Sequence, residues 1–188
     1  VMAAVFSAGI WLGHAFTTVM FAAVSFLAMR EFITLTKTER ADHEVLFWAF
    51  FVITPLHYLL VGVRWYGLFT IFIPVYAFAF IPFRRVLAGE TKGFLASTAR
   101  IQWALLVCVY AVSHVPMILA LPLKNYEGQN PKLLFFFVLT AQLSDVLQYV
   151  WGKTCGKHPV APHVSPHKTW EGTVGGIATT VLISTCLW

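Results

Sequence analysis

Charged side chains are scarce in this sequence. Asp, Glu, Lys and Arg make up 11% of its 188 residues, whereas soluble domains carry about 25%. Hydrophobic residues make up 59% of the chain, and its mean hydropathy is +0.74. Several apolar runs are long enough to cross a hydrocarbon core about 30 Å thick. The composition therefore excludes an ordinary soluble domain and predicts a polytopic membrane protein.

Cysteine pairs and linkers are also lacking. The three cysteines, Cys108, Cys155 and Cys186, show no C-x-x-C spacing, which argues against a disulfide framework or a cysteine zinc site. No Pro/Gly/Ser-rich linker, charge block or internal repeat divides the chain. We therefore expect residues 1–188 to form one transmembrane domain. The chain starts and stops inside apolar runs, so we also expect it to be truncated at both ends.

Hydropathy predicts an all-α helical bundle. Strands are not expected, because lipid does not tolerate open sheet edges and the apolar runs lack a period of two. The predicted membrane spans are residues 1–29, 45–61, 65–83, 101–121, 132–151 and 173–188.

The loops between six spans alternate between the two membrane faces. Ten basic residues fall on one face: Arg30, Lys37, Arg40, Arg84, Arg85, Lys92, Arg100, Lys153, Lys157 and Lys168. The other face carries three: Arg64, Lys124 and Lys132. Because cytoplasmic loops are rich in Lys and Arg, we expect the first face, with the segment 144–176, in the cytoplasm. Compactness and the charge bias favour a bacterial inner membrane, although an endoplasmic reticulum protein would show the same cytosolic loop.

Most of these charges are explained by the orientation of the protein in the membrane alone. We interpret Arg84 and Arg85 as orientation signals of this kind. The basic face also predicts contact with anionic membrane lipids, at about 1 kcal/mol for each basic residue near the surface. No basic-aromatic groove is evident, so nucleic acid is not an expected partner. A homodimer is one candidate assembly.

Polar residues concentrate in the segment 144–176, between two apolar segments. Near the end of the fifth predicted span, Gln142, Asp145 and Gln148 fall on one side of a helix. A carboxylate at membrane depth costs about 2.5–3.5 kcal/mol on insertion scales and is a candidate functional group. The alternatives are that Asp145 is hydrated near the interface or pairs with Lys153 for structure alone.

The next group combines glycine with cations. Gly152, Lys153, Gly156, Lys157 and His158 do not form a Walker A motif, because the glycine spacing is one residue short and no strand is expected here. Glycines and lysines still let backbone N–H groups and ammonium charges approach a phosphate. This group is therefore a candidate phosphate-binding segment.

Prolines between residues 159 and 166 forbid a regular helix in the following loop. Beyond them, Lys168 and Thr169 offer donors for phosphate oxygens, and Glu171 offers a second carboxylate. Trp170 is typical of an interface anchor, so the alternative interpretation is a Trp-anchored loop with solvated charges.

Glycines and histidines complete the pattern. Gly172 and Gly176 form a G-x-x-x-G pair, which predicts close helix packing. A zinc site with Asp145 is a weaker alternative, because interleaved prolines disrupt regular ligand spacing. Its histidines would be His158, His163 and His167. Within the spans, His14, His57 and His114 are expected to form interhelical hydrogen bonds.

The order of these residues resembles a known family. Ser165-Pro166-x-Lys168-Thr169-Trp170-Glu171-Gly172, preceded by Gly156-Lys157-His158 and by Asp145-x-x-x-Tyr149, closely resembles the loop of phosphatidate cytidylyltransferases, also called CDP-diacylglycerol synthases. Relatives carry small residues after the first Asp where this chain has Val146, Leu147 and Gln148, which indicates a divergent branch. The family's closing signature, K-R-x-x-x-x-K-D followed by H-G-G and D-R-x-D, is not in the sequence.

The resemblance implies an integral membrane enzyme that joins CTP to phosphatidic acid, releasing pyrophosphate and CDP-diacylglycerol with Mg²⁺ in the site. It implies catalytic roles for Asp145, Lys168 and Glu171, with Asp145 as the Mg²⁺ ligand. Glu171 is either a second ligand or a partner of Lys168 or Lys153. The implied substrate-binding residues are Lys153, Lys157, Ser165, Thr169, Trp170 and Gln148. Without the closing signature we expect the 188 residues alone to be inactive.

Other functions remain open at this point. A CTP-dependent lipid-alcohol kinase, of the polyprenol or phytol type, would transfer a phosphoryl group instead. A transporter would line a pathway with polar groups inside the spans. A non-catalytic scaffold is the third alternative.

Overall fold

The structure, a computed structural model, describes residues 2–36, 42–87, 89, 93–124, 127–162 and 165–187. The described chain is overwhelmingly helical, and five helices are long and apolar enough to cross a membrane. The predicted all-α, polytopic membrane fold is confirmed. Contacts divide the chain into two compact units, Val1–Asn130 and Pro131–Trp188. The expectation of one transmembrane domain stays a prediction.

Each predicted span falls on a helix. The helices are α1 (Met2–Thr34), α2 (Asp42–Val63), α3 (Tyr66–Leu87), α4 (Phe94–Ala120), α5 (Asn130–Cys155) and α6 (Trp170–Leu187). α1 breaks at Gly13, whose φ of 83° and ψ of 174° are open to glycine. Its part beyond the break, Gly13–Thr34, and α2 to α5 are the five candidate spans. The sixth span, on α6, stays a prediction.

Helices α2 to α4 each widen into a π-helical turn near the middle. These turns are Ala49–Ile53, Phe72–Ala77 and Leu105–Ala111. Pro74 lies inside the second turn, and Pro55 follows the first by two residues. Proline lacks an N–H and clashes with the carbonyl four residues before it, which favours such widening.

Histidines join the helices of the first unit. His57 is fully buried and donates from Nε2 to Ser113 Oγ of α4 at 2.8 Å. His14 donates from Nε2 to the Val61 carbonyl of α2 at 3.1 Å. The expected interhelical bonds are therefore found for these two. His114 differs, because its Nδ1 binds the Tyr110 carbonyl of its own helix at 2.7 Å.

A buried ion pair connects the ends of α2, α3 and α4. Arg85 is 0% exposed and donates to the Asp42 carboxylate, which is 1% exposed and also accepts from the Ser97 hydroxyl. This corrects our interpretation of Arg85 as an orientation signal alone. Arg84 is more exposed; it pairs with Glu44 and lies over a tryptophan ring.

The first prediction concerns this buried pair. Replacing Arg85→Met leaves the Asp42 carboxylate buried without the arginine charge, so the unfolding free energy should fall by about 3–5 kcal/mol. The double variant Asp42→Leu/Arg85→Met removes both charges and should recover most of that loss. Unfolding in detergent, followed by circular dichroism, measures the difference.

Glu44→Gln is the matched control, because it breaks the exposed pair with Arg84 and should cost less than about 1 kcal/mol. Equal losses for Glu44→Gln and Arg85→Met would show that burial of the Asp42–Arg85 pair does not matter.

Candidate functional site

The second unit carries the polar segment. After α5, the chain forms two short antiparallel strands, β1 (Pro159–Ala161) and β2 (Ser165–Thr169). Pro159 is opposite Thr169, and Ala161 is opposite Ser165. The loop is non-helical as predicted, but the expectation that no strand forms here is wrong. Prolines are tolerated because both strands are edge strands and Pro159 is the first residue of β1.

Helices α5 and α6 approach each other at glycines. A Cβ added to Gly172 would lie 2.8 Å from the Cα of Gly152, and one added to Gly176 would lie 2.7 Å from the Cα of Gln148. Only a residue without a side chain fits at such separations. The close packing predicted from the G-x-x-x-G pair is therefore present. Further along, Trp151 Nε1 donates to Thr179 Oγ1 at 3.0 Å.

Thr169 joins the hairpin to α6. Its hydroxyl accepts the backbone N–H of Gly172 at 3.2 Å, which is the N-cap interaction of a helix. The Thr173 hydroxyl returns a hydrogen bond to the Thr169 carbonyl at 3.0 Å. A Cβ on Gly156 would lie only 2.6 Å from Thr169 Oγ1. Thr169 thus holds the end of α5, the hairpin and the start of α6 together.

Glu171 fastens the segment that precedes the hairpin. Its carboxylate accepts backbone N–H bonds from Lys157 and His158 at 3.1 and 3.2 Å, and a bond from His158 Nδ1 at 2.5 Å. The hydrogen bond from the His158 ring, followed by those from backbone N–H groups, lowers the pKa of Glu171 from 4.5 to about 2. The hydrogen bonds of this carboxylate are thus made to residues 157 and 158.

A pocket of about 540 Å³ opens beside the crossing of α5 and α6. Helix α5, the strand β2 and the first turns of α6 all contribute to it. Its lining residues are Asp145, Gln148, Tyr149, Gly152, Lys153, Ser165, His167, Lys168, Thr169 and Thr173. This volume is in the range of small-molecule binding sites.

The pocket gathers six of the predicted site residues. They are Asp145, Gln148, Lys153, Ser165, Lys168 and Thr169. The predicted residues Lys157, Trp170 and Glu171 do not line it. Sequence reasoning missed Thr173, although its position one helical turn after Thr169 was a usable signal.

The charges inside the pocket are unequal. Lys153 and Lys168 line it together with one carboxylate, Asp145. The Lys153 ammonium lies 5.8 Å from the centre of the Tyr149 ring. Within the described part of the chain, Asp145 forms no ion pair, so pairing with Lys153 is not observed. The lining suits an anionic ligand with several oxygens.

Metal binding depends on the donor set. Asp145, Gln148, Ser165 and Thr169 offer oxygen atoms, the donors that Mg²⁺ prefers. Among the described residues, no group of three His, Cys, Asp or Glu side chains is placed to hold a metal ion. For the zinc alternative, His158 binds Glu171, and His163 lies outside the described residues.

The fold and the pocket define an integral membrane protein with a cation-lined cavity where two helices meet a hairpin. Comparison with known proteins specifies the family. The model of the cytidylyltransferase family matches residues 1–188. The chain belongs to the cytidylyltransferase family.

Relatives agree with this assignment. The chain is 39% identical over 168 residues to the uncharacterized protein YnbB of Escherichia coli K12, covering 89% of this chain and 54% of YnbB. It is 33% identical over 84 residues to the phosphatidate cytidylyltransferase of Mycobacterium leprae, covering 42% and 27%. The same enzyme of Staphylococcus saprophyticus is 38% identical over 60 residues, covering 31% and 23%. The chain thus spans about half the length of YnbB, and no solved structure matches it.

The second prediction tests the glycine crossing. Gly176→Ala places a methyl group against the Gln148 backbone and should lower the unfolding free energy by about 1–3 kcal/mol through overpacking. Gly62→Ala in α2 is the control, because nothing lies within 4 Å of its added Cβ. It should stabilise the helix by about 0.5–1 kcal/mol. Similar stability of the two variants, measured by unfolding in detergent, would contradict the close crossing.

The third prediction concerns Glu171 and pH. The pKa of Glu171 is lower in the folded protein than its ordinary value of 4.5. The contact of its carboxylate with residues 157 and 158 therefore stabilises the fold fully above pH 4.5, and this stabilisation is lost as the pH falls through about 2. The backbone ¹⁵N–¹H shifts of Lys157 and His158 should therefore show an inflection near pH 2. Glu171→Gln is the control and should abolish that inflection. An inflection near 4.5 in the parent protein would refute the contact.

Proposed function

We propose that the complete protein transfers the cytidylyl group of CTP to phosphatidic acid, forming CDP-diacylglycerol and pyrophosphate. The observation that carries this proposal is that Asp145 of α5, Lys153 of α5 and Lys168 of β2 line one pocket. Membership of the cytidylyltransferase family supports nucleotidyl transfer. The partial matches to phosphatidate cytidylyltransferases support the lipid substrate.

The reaction needs positioning more than proton transfer. A phosphate oxygen of the lipid attacks the α-phosphorus of CTP, and the bond from that phosphorus to the bridging oxygen of pyrophosphate breaks. The attacking oxygen is already anionic near neutral pH. Catalysis therefore depends on holding two anions together in line and stabilising their charge. Lys153 and Lys168 supply ammonium groups for this purpose.

Asp145 is the residue that would hold Mg²⁺. Mg²⁺ commonly binds proteins through one or two carboxylates and completes its shell with water and substrate phosphates, so a pocket with one carboxylate and hydroxyl oxygens fits it. When bound, the ion would neutralise phosphate charge. Gln148, Ser165 and Thr169 complete the polar lining from both sides of the crossing.

Glu171 acts on the loop in this proposal. The Glu171 carboxylate is bound to the backbone of residues 157 and 158, and the backbone N–H of Trp170 donates to the His158 carbonyl at 2.9 Å. These bonds fix where β2 ends. Glu171 is thus a positioning residue that keeps Lys168 at the pocket.

The direction of substrate entry follows from the charge bias. With the basic face in the cytoplasm of a bacterial inner membrane, CTP reaches the pocket from water and phosphatidic acid reaches it sideways from the lipid. Basic residues around the pocket would attract anionic lipids to the same face.

The fourth prediction tests the reaction. Full-length protein in lipid-detergent micelles is incubated with phosphatidic acid, Mg²⁺ and CTP labelled in the cytidine. Label should enter the lipid phase, and chelation of Mg²⁺ should stop it. The 188-residue chain is expected to give no labelled lipid. With a polyprenol in place of phosphatidic acid, CTP labelled in the γ-phosphate tests the kinase alternative, because a kinase would put that label, and not the cytidine label, into a lipid. Such a result would overturn the proposal.

Substitutions localise the activity. Asp145→Asn should abolish label transfer while membrane insertion stays normal. Lys168→Ala should lower kcat/KM by about 10- to 1,000-fold, as expected for loss of one charge-stabilising group. Lys132→Ala is the matched control, because this exposed lysine lies at the opposite end of α5 from Lys153. Full activity of Asp145→Asn would remove Asp145 from the site.

A further inference from the structure

A second cavity, of about 380 Å³, lies on the same two helices of the second unit. Its lining residues are Phe136, Thr140, Thr180, Val181, Ser184 and Thr185. We call this cavity the hydroxyl groove, because four of its six residues carry hydroxyl groups. None of the sequence motifs described above includes its residues.

The groove lies deeper along the helices than the first pocket. Contacts between α5 and α6 run from Gly152 with Gly172, through Gln148 with Gly176, to Thr140 with Ser184, so the helices are antiparallel. On α5, Thr140 lies five residues before Asp145, or about 7.5 Å along the axis. On α6, Thr180 lies seven residues beyond Thr173, or about 10 Å. On both helices the groove residues therefore lie farther from the hairpin than the pocket residues, in the apolar parts of the helices.

A stripe of side chains connects the two cavities. Residues four apart share one side of a helix, and on α5 this side carries Phe136, Thr140, Ser144, Gln148 and Gly152. Gln148 lines the first pocket, and its amide donates to Ser144 Oγ at 3.0 Å. Thr140, the next residue on this side, lines the hydroxyl groove. The two cavities are therefore successive sections of one helix-helix seam.

The chemistry of the groove is neutral. It contains no charged side chain, in contrast with the first pocket. Thr180 and Thr185 already donate to carbonyls of their own helix, at 2.7 and 2.8 Å. Thr140 and Ser184 face each other at 3.4 Å. Either hydroxyl can donate to the other, which leaves one O–H free to donate to an acceptor in the groove.

We propose that the hydroxyl groove receives the glycerol-ester part and first acyl carbons of the lipid whose phosphate occupies the first pocket. The inference rests on the proposed function. An ester carbonyl is a neutral acceptor that cannot donate, which matches one free O–H in an uncharged cavity. In phosphatidic acid only the glycerol backbone and its ester oxygens separate this carbonyl from the phosphate. This short separation matches two cavities that lie a few helical residues apart. Phe136 and Val181 supply the apolar surface that acyl carbons require.

Photo-crosslinking of full-length protein in lipid nanodiscs tests this proposal. The probe is phosphatidic acid with a diazirine on the acyl carbon next to the ester, and CTP is omitted. Mass spectrometry of the peptides should find the label within residues 136–140 and 180–185. Phosphatidylcholine with the same diazirine is the matched probe and should label them about tenfold less. Equal labelling by both probes, or labelling elsewhere, would overturn the proposal.

Variants sharpen the test. Ser184→Trp fills the groove and should reduce its labelling by about tenfold. Leu182→Trp is the control, because Leu182 is 68% exposed and does not line the groove. It should leave labelling unchanged. If Ser184→Trp does not fold, the map obtained with the parent protein still decides the proposal.

Groove labelling and CDP-lipid formation test the two proposals separately. Labelled groove peptides without formation of CDP-lipid would refute the proposed function and leave the lipid site standing. CDP-lipid formation without preferential labelling of the groove would refute only the groove.

Discussion

The backbone contact between α5 and α6 is the constraint on which the candidate site depends. At Gly172 there is no room for a Cβ, which would lie 2.8 Å from the Cα of Gly152, so the two helices meet where the hairpin leaves one and enters the other. Thr169 fills the remaining space and caps α6. Because β2 ends at this cap, Lys168 is placed next to the last turns of α5. A wider crossing would separate Lys168 from Asp145, whatever their chemistry.

The distribution of charge follows from the same geometry. Glu171 starts α6 with its carboxylate turned to the backbone of residues 157 and 158. The negative charge of Glu171 therefore lies at the loop and not in the pocket. Asp145 is the one carboxylate among the described residues that line the pocket. Two lysines against one carboxylate leave a positive pocket, which accepts polyanions that bring their own counter-ion. Had Glu171 faced the pocket, its charge would have opposed phosphate binding.

Local patterns in the sequence identified most of the pocket. The helical period placed Asp145 and Gln148 on one side of α5, and the proline-rich loop indicated where Lys168 and Ser165 would lie. Long-range pairings were not predictable in this way. The strand pair depends on a register between residues such as Pro159 and Thr169, while prolines as a residue type argue against strands.

Arg85 shows the same limit in the first unit. Its partner Asp42 lies 43 residues away in the chain, and an arginine at the end of a span is typical of an orientation signal. Only the packing of α2, α3 and α4 reveals that the arginine is buried and paired. The helical period of the sequence therefore identifies which residues share one face of a helix. Which residues pack against that face depends on the tertiary fold.

The seam between α5 and α6 changes character along its length in a way that suits a lipid phosphate. Glycines and lysines lie at the hairpin end, and a section with both hydroxyl groups and apolar side chains follows. A ligand held only by its phosphate could rotate about that group. A ligand also held at its ester would present one phosphate oxygen in a fixed direction, and in-line attack depends on such alignment. The neutral groove and the cationic pocket would therefore contribute to the same catalytic requirement.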